Sequence, residues 1–359
     1  MTSAAGFFRT PRGKLLTGLA AATALMILIT AFALFHEARL TQSHFARESI
    51  FPNLAVRLAD AAEVSIVSKG GTIVIARSGA DPKSGRWVVP AAQNYPANAE
   101  HLRRLFLGLA ELEAVEQKTA RPDWHAALSL DDPKTGGSAI TLTVKDSKGQ
   151  ALAALFVGKL KPGSANAQPM VYVRRAGENQ TYLAQGDLPL ATERKAWLDE
   201  TIVDLSRDRV KRVAVSPPGA PAYSVSRPTP QEPNFAVDAL PKGREMVSAT
   251  AANATGAAAV AVTLDDVRPQ SEIDFSKASH ITFETFDGLT LTFDVVDKDE
   301  QPFIRVNADG TTPTAVKEAN AIKTRSAAWA YAVPSWKANL FRKPVDQLLK
   351  TPEKPGRKS

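Results

Sequence analysis

Hydrophobic and polar positions change their spacing along the chain, and the first segment is an uncharged apolar run. Residues 15–35 read LLTGLAAATALMILITAFALF, without a charged side chain. A helix of this length crosses the roughly 30 Å hydrocarbon core of a bilayer. Three cations precede the run within residues 1–14, and such an excess keeps that flank in the cytoplasm. We therefore predict a cytoplasmic tail (1–14), one transmembrane anchor (15–36) in the inner membrane, and a periplasmic body.

A cleaved signal peptide is the alternative interpretation of the same run. Ala31-Phe32-Ala33 fits the small-x-small pattern of a cleavage site. The uncharged core is longer than the roughly 7 to 15 apolar residues of a signal peptide, which favours an uncleaved anchor. No second run in the sequence is long enough to span a bilayer, so the predicted topology is single-pass. Cleavage after Ala33 stays open.

Period-two alternation follows a predicted stalk helix at residues 37–60. Alternating apolar side chains separated by glycine-containing turns predict antiparallel hairpins. In the first half these pair 63–67 with 72–77, 139–144 with 153–157, and 171–174 with 181–183, with a short strand at 87–89. Asn98 offers an N-cap to a helix with one apolar face, formed by Leu102, Leu105, Phe106, Leu109 and Leu112.

The second half repeats this order of elements. Strands are predicted at 211–215, 222–227, 234–237, 281–284, 289–293 and 301–306, around a helical stretch near 246–262. Phe235 takes the place of Trp87, and closing helices are expected from Trp197 and from Trp336. Chance similarity between alternating strands is the alternative explanation.

The predicted fold class is therefore α+β after one N-terminal transmembrane helix. It consists of two tandem related units, each of antiparallel hairpins plus an amphipathic helix. We place the first unit at 61–206 and the second at 207–349. From residue 350 to 359, proline, glycine and cations predict a disordered basic tail.

Charge and cysteine content exclude several classes of protein. The formal net charge is +7, but residues 1–39 and 350–359 each carry +3, which leaves the body close to neutral. A nucleic-acid-binding protein concentrates cations on a folded face, so we predict no nucleic-acid partner. The chain has no cysteine, which excludes disulfides, thiolate metal sites and cysteine nucleophiles.

Residues that could carry catalysis are few and scattered. None of the five histidines (His36, His44, His101, His125, His280) lies three to five residues from another, so no zinc motif is present. Asp131-Asp132 and Asp265-Asp266 are candidate paired carboxylates, but sequence neighbours rarely converge on one bond. We interpret them as a turn opener and as the end of an element. We assign no catalytic, cofactor-binding or metal-binding residue, expect no cofactor, and predict that the protein is not an enzyme.

Several short motifs resemble a bacterial family known only as domain of unknown function 4340. They are Trp87-Val88-Val89, Tyr95-Pro96-Ala97-Asn98, Leu130-Asp131-Asp132-Pro133, Gly158-Lys159, Met170-Val171-Tyr172-Val173-Arg174 and Trp197-Leu198-Asp199. The resemblance extends over roughly residues 55–345 and weakens at a proline- and alanine-rich insert in the second half. It implies an extracytoplasmic companion of gliding-motility-type ABC transporters, and it implies no activity or catalytic residue.

The expected function is that of a non-catalytic, membrane-anchored extracytoplasmic accessory protein that acts with an ABC-type transporter through protein contacts. Its expected partners are a permease or other inner-membrane proteins, with lipid around residues 15–36. Exposed strand edges could pair with such a partner. The alternatives are a protein that presents a lipid, peptide or sugar ligand to the transporter, and an envelope hydrolase. The sequence leaves substrate, partner identity and oligomeric state open.

Overall fold

The computed structural model describes residues 22–32, 46–79, 85–161, 169–240 and 242–351. Within them the strands form sheets of ten, eight and two strands, and the recorded strand pairs are antiparallel. Helices are few and mostly short. The mixed class dominated by antiparallel sheet, with few helices, is therefore confirmed.

The ten-stranded sheet comes from the first half of the chain. Its strands run in the order β1-β6-β10-β9-β8-β7-β2-β3-β4-β5. They are β1 (Glu48–Ser49), β2 (Ala61–Ser68), β3 (Gly71–Arg77), β4 (Trp87–Val89), β5 (Tyr95–Pro96), β6 (Glu113–Gln117), β7 (Ile140–Asp146), β8 (Ala151–Lys161), β9 (Met170–Arg175) and β10 (Thr181–Gln185). The three hairpins predicted for the first half are confirmed.

The eight-stranded sheet comes from the second half. A pair of short strands, β11 (Thr201–Val203) and β15 (Val262–Thr263), stands beside it. The strands of the eight-stranded sheet are β12 (Val210–Ser216), β13 (Tyr223–Ser226), β14 (Ala236–Val237), β16 (Asp266–Pro269), β17 (Ser279–Thr285), β18 (Leu289–Lys298), β19 (Gln301–Gly310) and β20 (Trp329–Ala332). They run in the order β14-β13-β12-β17-β18-β19-β20-β16.

The two large sheets share one strand order. From β6 to β4 the first sheet reads β6-β10-β9-β8-β7-β2-β3-β4, and the second reads β16-β20-β19-β18-β17-β12-β13-β14 from the corresponding end. The corresponding strands β2 and β12 are each preceded by a 3₁₀ turn, at Leu58–Asp60 and at Arg207–Arg209. The register of the β2–β7 pair shifts just after Ala61, the first residue of β2, and that of the β12–β17 pair shifts just after Val210, the first residue of β12.

Within its described residues the body has five α-helices, and the two longest, Ala99–Ala110 and Pro313–Ser326, are capped by the side chains of Asn98 and Thr312. The five helices are Leu54–Arg57, Ala99–Ala110, Asn253–Gly256, Pro313–Ser326 and Ser335–Phe341. The helix predicted after Asn98 is confirmed: Asn98 Oδ1 accepts the His101 N–H at 3.0 Å, and the leucine face is buried in the main core. That core includes buried side chains from both sheets.

Two helix predictions were wrong, those of the stalk and of residues 246–262. Within 46–60 a strand, a four-residue helix and a 3₁₀ turn replace the continuous stalk helix. Asn53 has a left-handed backbone conformation (φ 59°), which a continuous α-helix does not accommodate. Residues 37–45 of that stalk lie outside the described residues. The expected helix near 246–262 shrinks to Asn253–Gly256, in a stretch with glycine, threonine and asparagine, which are weak helix formers.

The expected closing helices also differ from the structure. Trp197 ends a 3₁₀ turn, Arg194–Trp197, and the chain then continues into β11. Trp336 does lie at the start of a helix, Ser335–Phe341, but this is followed by a separate 3₁₀ turn, Val345–Leu348. In the second half, the residue that matches Trp197 in its backbone hydrogen bond is Leu348 rather than Trp336.

The N-terminal prediction is only partly covered by the structure. Residues 22–32 are helical, whereas the rest of the expected anchor (15–36), the tail 1–14 and most of the C-terminal tail (352–359) lie outside the described residues. Within the described ranges, no helix combines the length and the apolar character needed to cross a bilayer.

Candidate functional site

The first pair of candidate carboxylates organises a turn. Asp131 accepts hydrogen bonds from the Ser138 backbone N–H at 3.0 Å and from the Ser138 hydroxyl at 3.1 Å. Asp132 caps the 3₁₀ turn Pro133–Thr135 by accepting the Lys134 N–H at 2.9 Å. Both side chains serve the local backbone, so the interpretation as a turn opener agrees with their geometry.

The second pair joins the end of the first half of the chain to the second sheet. Lys195 Nζ lies 2.6 Å from Asp265 Oδ1, and Arg194 Nη2 donates to both carboxylate oxygens of Asp266 at 2.8 Å. Two neighbouring basic residues thus form ion pairs with two neighbouring acidic residues that lie about 70 positions later in the sequence. The sequence did not indicate these partners.

The three described histidines each contact a different partner. His125 is buried and its Nε2 lies 2.9 Å from the Asn179 carbonyl oxygen, while His101 Nε2 lies 2.9 Å from that of Pro189. His280 Nδ1 lies 2.5 Å from Asp294. Among the described residues, no group of three or more His, Cys, Asp or Glu side chains is arranged to hold a metal ion. His36 and His44 lie outside the described residues.

An aromatic contact fixes the two sheets against each other. The ring of Tyr95 meets the edge of Trp329 at a centroid distance of 5.2 Å and Tyr331 at 6.2 Å. Tyr95 Oη also donates to the Asp199 carbonyl at 3.0 Å. Burial raises the pKa of the Tyr95 and Tyr331 phenols well above the ordinary value near 10. Both rings are almost completely buried, and both phenols remain neutral over the physiological range.

Beside this contact lies a groove of about 580 Å³, which we call the inter-sheet groove. One wall comes from the first half of the chain and the other from helix Pro313–Ser326. Its polar residues are Arg86, Asp199, Asn320, Thr324 and Arg325, and small residues such as Pro96 and Ala321 complete it. Asp199 is half-buried, and the other four polar residues are exposed. The volume falls within the range of small-molecule sites in proteins.

The polar side chains of the inter-sheet groove are largely unpaired. Within the described residues, the side chains of Arg86, Asp199 and Asn320 have no hydrogen-bond or ion-pair partner. Arg325 Nη2 donates to the Ile202 carbonyl at 2.5 Å, which orients a guanidinium with further N–H groups to offer. Sequence reasoning missed this set, because its members are spread over more than 200 positions and helix Pro313–Ser326 was not predicted.

Comparison with known proteins gives one match. No curated protein and no solved structure matches the chain. The family model described as Domain of unknown function (DUF4340) matches residues 87–277, from Trp87 in β4 to the segment before β17. The matched region is more than half of the 359 residues and includes the ion pairs Arg194–Asp266 and Lys195–Asp265. The chain belongs to the DUF4340 family.

Proposed function

We propose that this protein is a non-catalytic accessory protein, anchored in the inner membrane by residues 15–36, whose body works in the periplasm through contacts with an ABC-type transporter complex. The inter-sheet groove is the observation that carries this proposal. It collects the side chains of Arg86, Asp199 and Asn320, which have no partner among the described residues, whereas the carboxylate pairs that could have served catalysis are engaged in structural contacts.

We also infer that the two large sheets are related units. Their strand orders correspond from β6 to β4 and from β16 to β14, and among their described strands only β1 and β5 have no counterpart. The closing contacts correspond as well: Ala97 forms an isolated bridge with Leu198, and Met246 forms one with Leu349. In this alignment Trp197-Leu198 matches Leu348-Leu349 rather than the sequence around Trp336. The division near residues 206 and 207 is consistent with this correspondence.

The sheet edges give little support to the strand pairing expected from the sequence. Three of the four outer strands (β1, β5 and β14) have two residues, and the fourth (β16) has four. Such short edges offer a partner strand few free backbone groups. The proposed contact site is therefore the inter-sheet groove rather than a strand edge.

Presentation of a small ligand to the transporter is the second candidate function. The same groove favours it, because a concave site of about 580 Å³ with a few converging polar groups is typical of ligand binding. The two functions differ in what must remain bound after purification. An accessory subunit retains the permease, whereas a presenting protein retains a small molecule.

The test is purification of the tagged full-length protein from native membranes in mild detergent. We expect the permease and the ATPase of one transporter to co-purify, and we expect loss of membrane association when residues 1–40 are deleted. Wild-type preparations that contain no permease would contradict the accessory role. Recovery of the intact chain in the soluble fraction would contradict the anchor.

A further inference from the structure

The inter-sheet groove carries both signs of charge in a defined distribution. Arg86 projects from the start of β4, and Arg325 from the last turn of helix Pro313–Ser326, so each wall supplies one guanidinium. The carboxylate of Asp199 and the amide of Asn320 lie in the same groove. A ligand that satisfies all of these groups must offer both a strong acceptor and N–H donors.

Guanidinium groups recognise planar oxyanions through paired N–H donors, and carboxylates are their commonest partners in proteins. Asp199 disfavours a dianion such as a phosphate monoester, because the like charges would repel. The same carboxylate and the Asn320 amide oxygen can accept the N–H groups of a peptide main chain. The small side chains Pro96 and Ala321 leave room for such a chain.

We propose that the inter-sheet groove binds a short peptide through a carboxylate held by Arg86 and Arg325, with the peptide N–H groups on Asp199 and Asn320. This inference rests on the proposed function, since it names the chemistry of the contact that the accessory protein makes. The carboxylate is either a free C-terminus or an acidic side chain, and the experiment below distinguishes the two.

The groove is formed before the ligand arrives. The ion pairs Arg194–Asp266 and Lys195–Asp265, together with the Tyr95–Trp329 contact, hold the first half of the chain against the second sheet. Arg325 is already oriented by the Ile202 carbonyl. Preorganised walls lower the entropic cost of binding, so a short peptide suffices as a ligand.

The test is affinity-selection mass spectrometry on the full-length protein in mild detergent. The probes are three pools of random tetrapeptides: one with free C-terminal carboxylates and no acidic side chains, one fully amidated with no acidic side chains, and one amidated with a single aspartate or glutamate. We expect about tenfold enrichment of one carboxylate-bearing pool over the neutral pool, which corresponds to about 1.4 kcal/mol. The enriched pool identifies the source of the carboxylate. Equal retention of all three pools would overturn the proposal.

Variants localise the binding. Arg86→Gln and Arg325→Gln should each lower the enrichment several-fold, and Arg325→Lys should restore part of it because it keeps the charge. Arg103→Gln is the matched control, since Arg103 pairs with exposed Glu100 and does not line the groove. Enrichment that survives in the double Arg86→Gln, Arg325→Gln variant would place the peptide elsewhere and overturn the assignment.

The two proposals can fail separately. Peptide selection uses purified protein and requires no transporter. Co-purification of the permease requires no free peptide, and it can persist in the double arginine variant if the transporter contacts another surface.

Discussion

The guanidinium of Arg227 holds, in the second sheet, the position that Arg77 holds in the first. Arg77 Cζ lies 5.0 Å from the ring centre of Trp87, and its Nε donates to the first carbonyl of β2 at 3.0 Å. Arg227 Cζ lies 5.1 Å from the ring centre of Phe235, and its Nε donates to the first carbonyl of β12 at 2.9 Å. An arginine stacked on an aromatic ring thus joins β2, β3 and β4 in the first sheet and the corresponding segment of β12, β13 and β14 in the second.

Replacing Arg227 by methionine should destabilise the protein strongly. Arg227 is 2% exposed and donates to five backbone carbonyls, those of Val210, Pro230, Glu232, Arg207 and Asp208. Their loss leaves one buried and four partly buried carbonyl oxygens without this donor and should cost about 3 kcal/mol, measured by urea unfolding. Arg227→Lys should recover little, because an ammonium cannot reproduce the fork of donors.

The control for this prediction is Arg121→Met. Arg121 pairs with exposed Asp123 in a surface ion pair, and such pairs contribute little to stability. An unfolding midpoint for Arg227→Met that equals that of the control would show that the buried guanidinium is dispensable.

Gly256→Ala should destabilise the packing of helix Asn253–Gly256 against Phe235, which immediately precedes β14. A Cβ atom on Gly256 would lie 2.4 Å from the ring of Phe235, so the ring or the helix must move. Overpacking of this kind costs about 1–3 kcal/mol, which thermal unfolding would detect. Gly70→Ala is the matched control, because its Cβ would have an ordinary 3.6 Å contact with Ser68. Equal melting temperatures for both variants would contradict the prediction.

Charge reversal should reveal the coupling between Arg194 and Asp266. Both side chains are about two-fifths exposed, so water screens the pair and the coupling should be about 0.5–1 kcal/mol. Arg194→Asp and Asp266→Arg should each destabilise the chain, and the double variant should recover part of the loss. The measurement is a double-mutant cycle by denaturant unfolding at low salt. Strictly additive effects would show that this ion pair does not help to hold the two halves together.

Alkaline pH should weaken the junction between the sheets. Burial raises the pKa of Tyr95 and Tyr331 in the folded chain, whereas both phenols have a pKa near 10 when unfolded. Their contribution to stability is therefore complete below about pH 10 and declines as the pH rises further, because the unfolded state then loses protons first.

Two measurements check this prediction. Tyrosinate absorbance should show Tyr95 and Tyr331 ionising only when the chain unfolds, and Tyr95→Phe should reduce the steepness of the alkaline decline in stability. Ionisation of all five tyrosines near pH 10 in a chain that keeps its native circular dichroism would contradict it.

The two longest helices of the body show why sequence reasoning succeeded in one place and failed in another. Helix Ala99–Ala110 has an asparagine cap and a leucine face, so its amphipathic period is strong. Helix Pro313–Ser326 also has a cap, Thr312, and a proline at its first position. Its buried face consists mainly of small side chains (Ala315, Ala319, Ile322 and Ser326). The difference in hydrophobicity between its two faces is therefore weak, and the sequence pattern did not predict this helix.

The sequence by itself determined the hairpins, the leucine-faced helix and the absence of cysteine chemistry, because alternation, caps and composition act between near neighbours. It also indicated the recurrence of one order of elements. Only the tertiary structure placed Arg194 and Lys195 on Asp266 and Asp265, and Arg86 in one groove with Arg325. Those contacts depend on how two separately formed sheets pack together, which local periodicity does not encode.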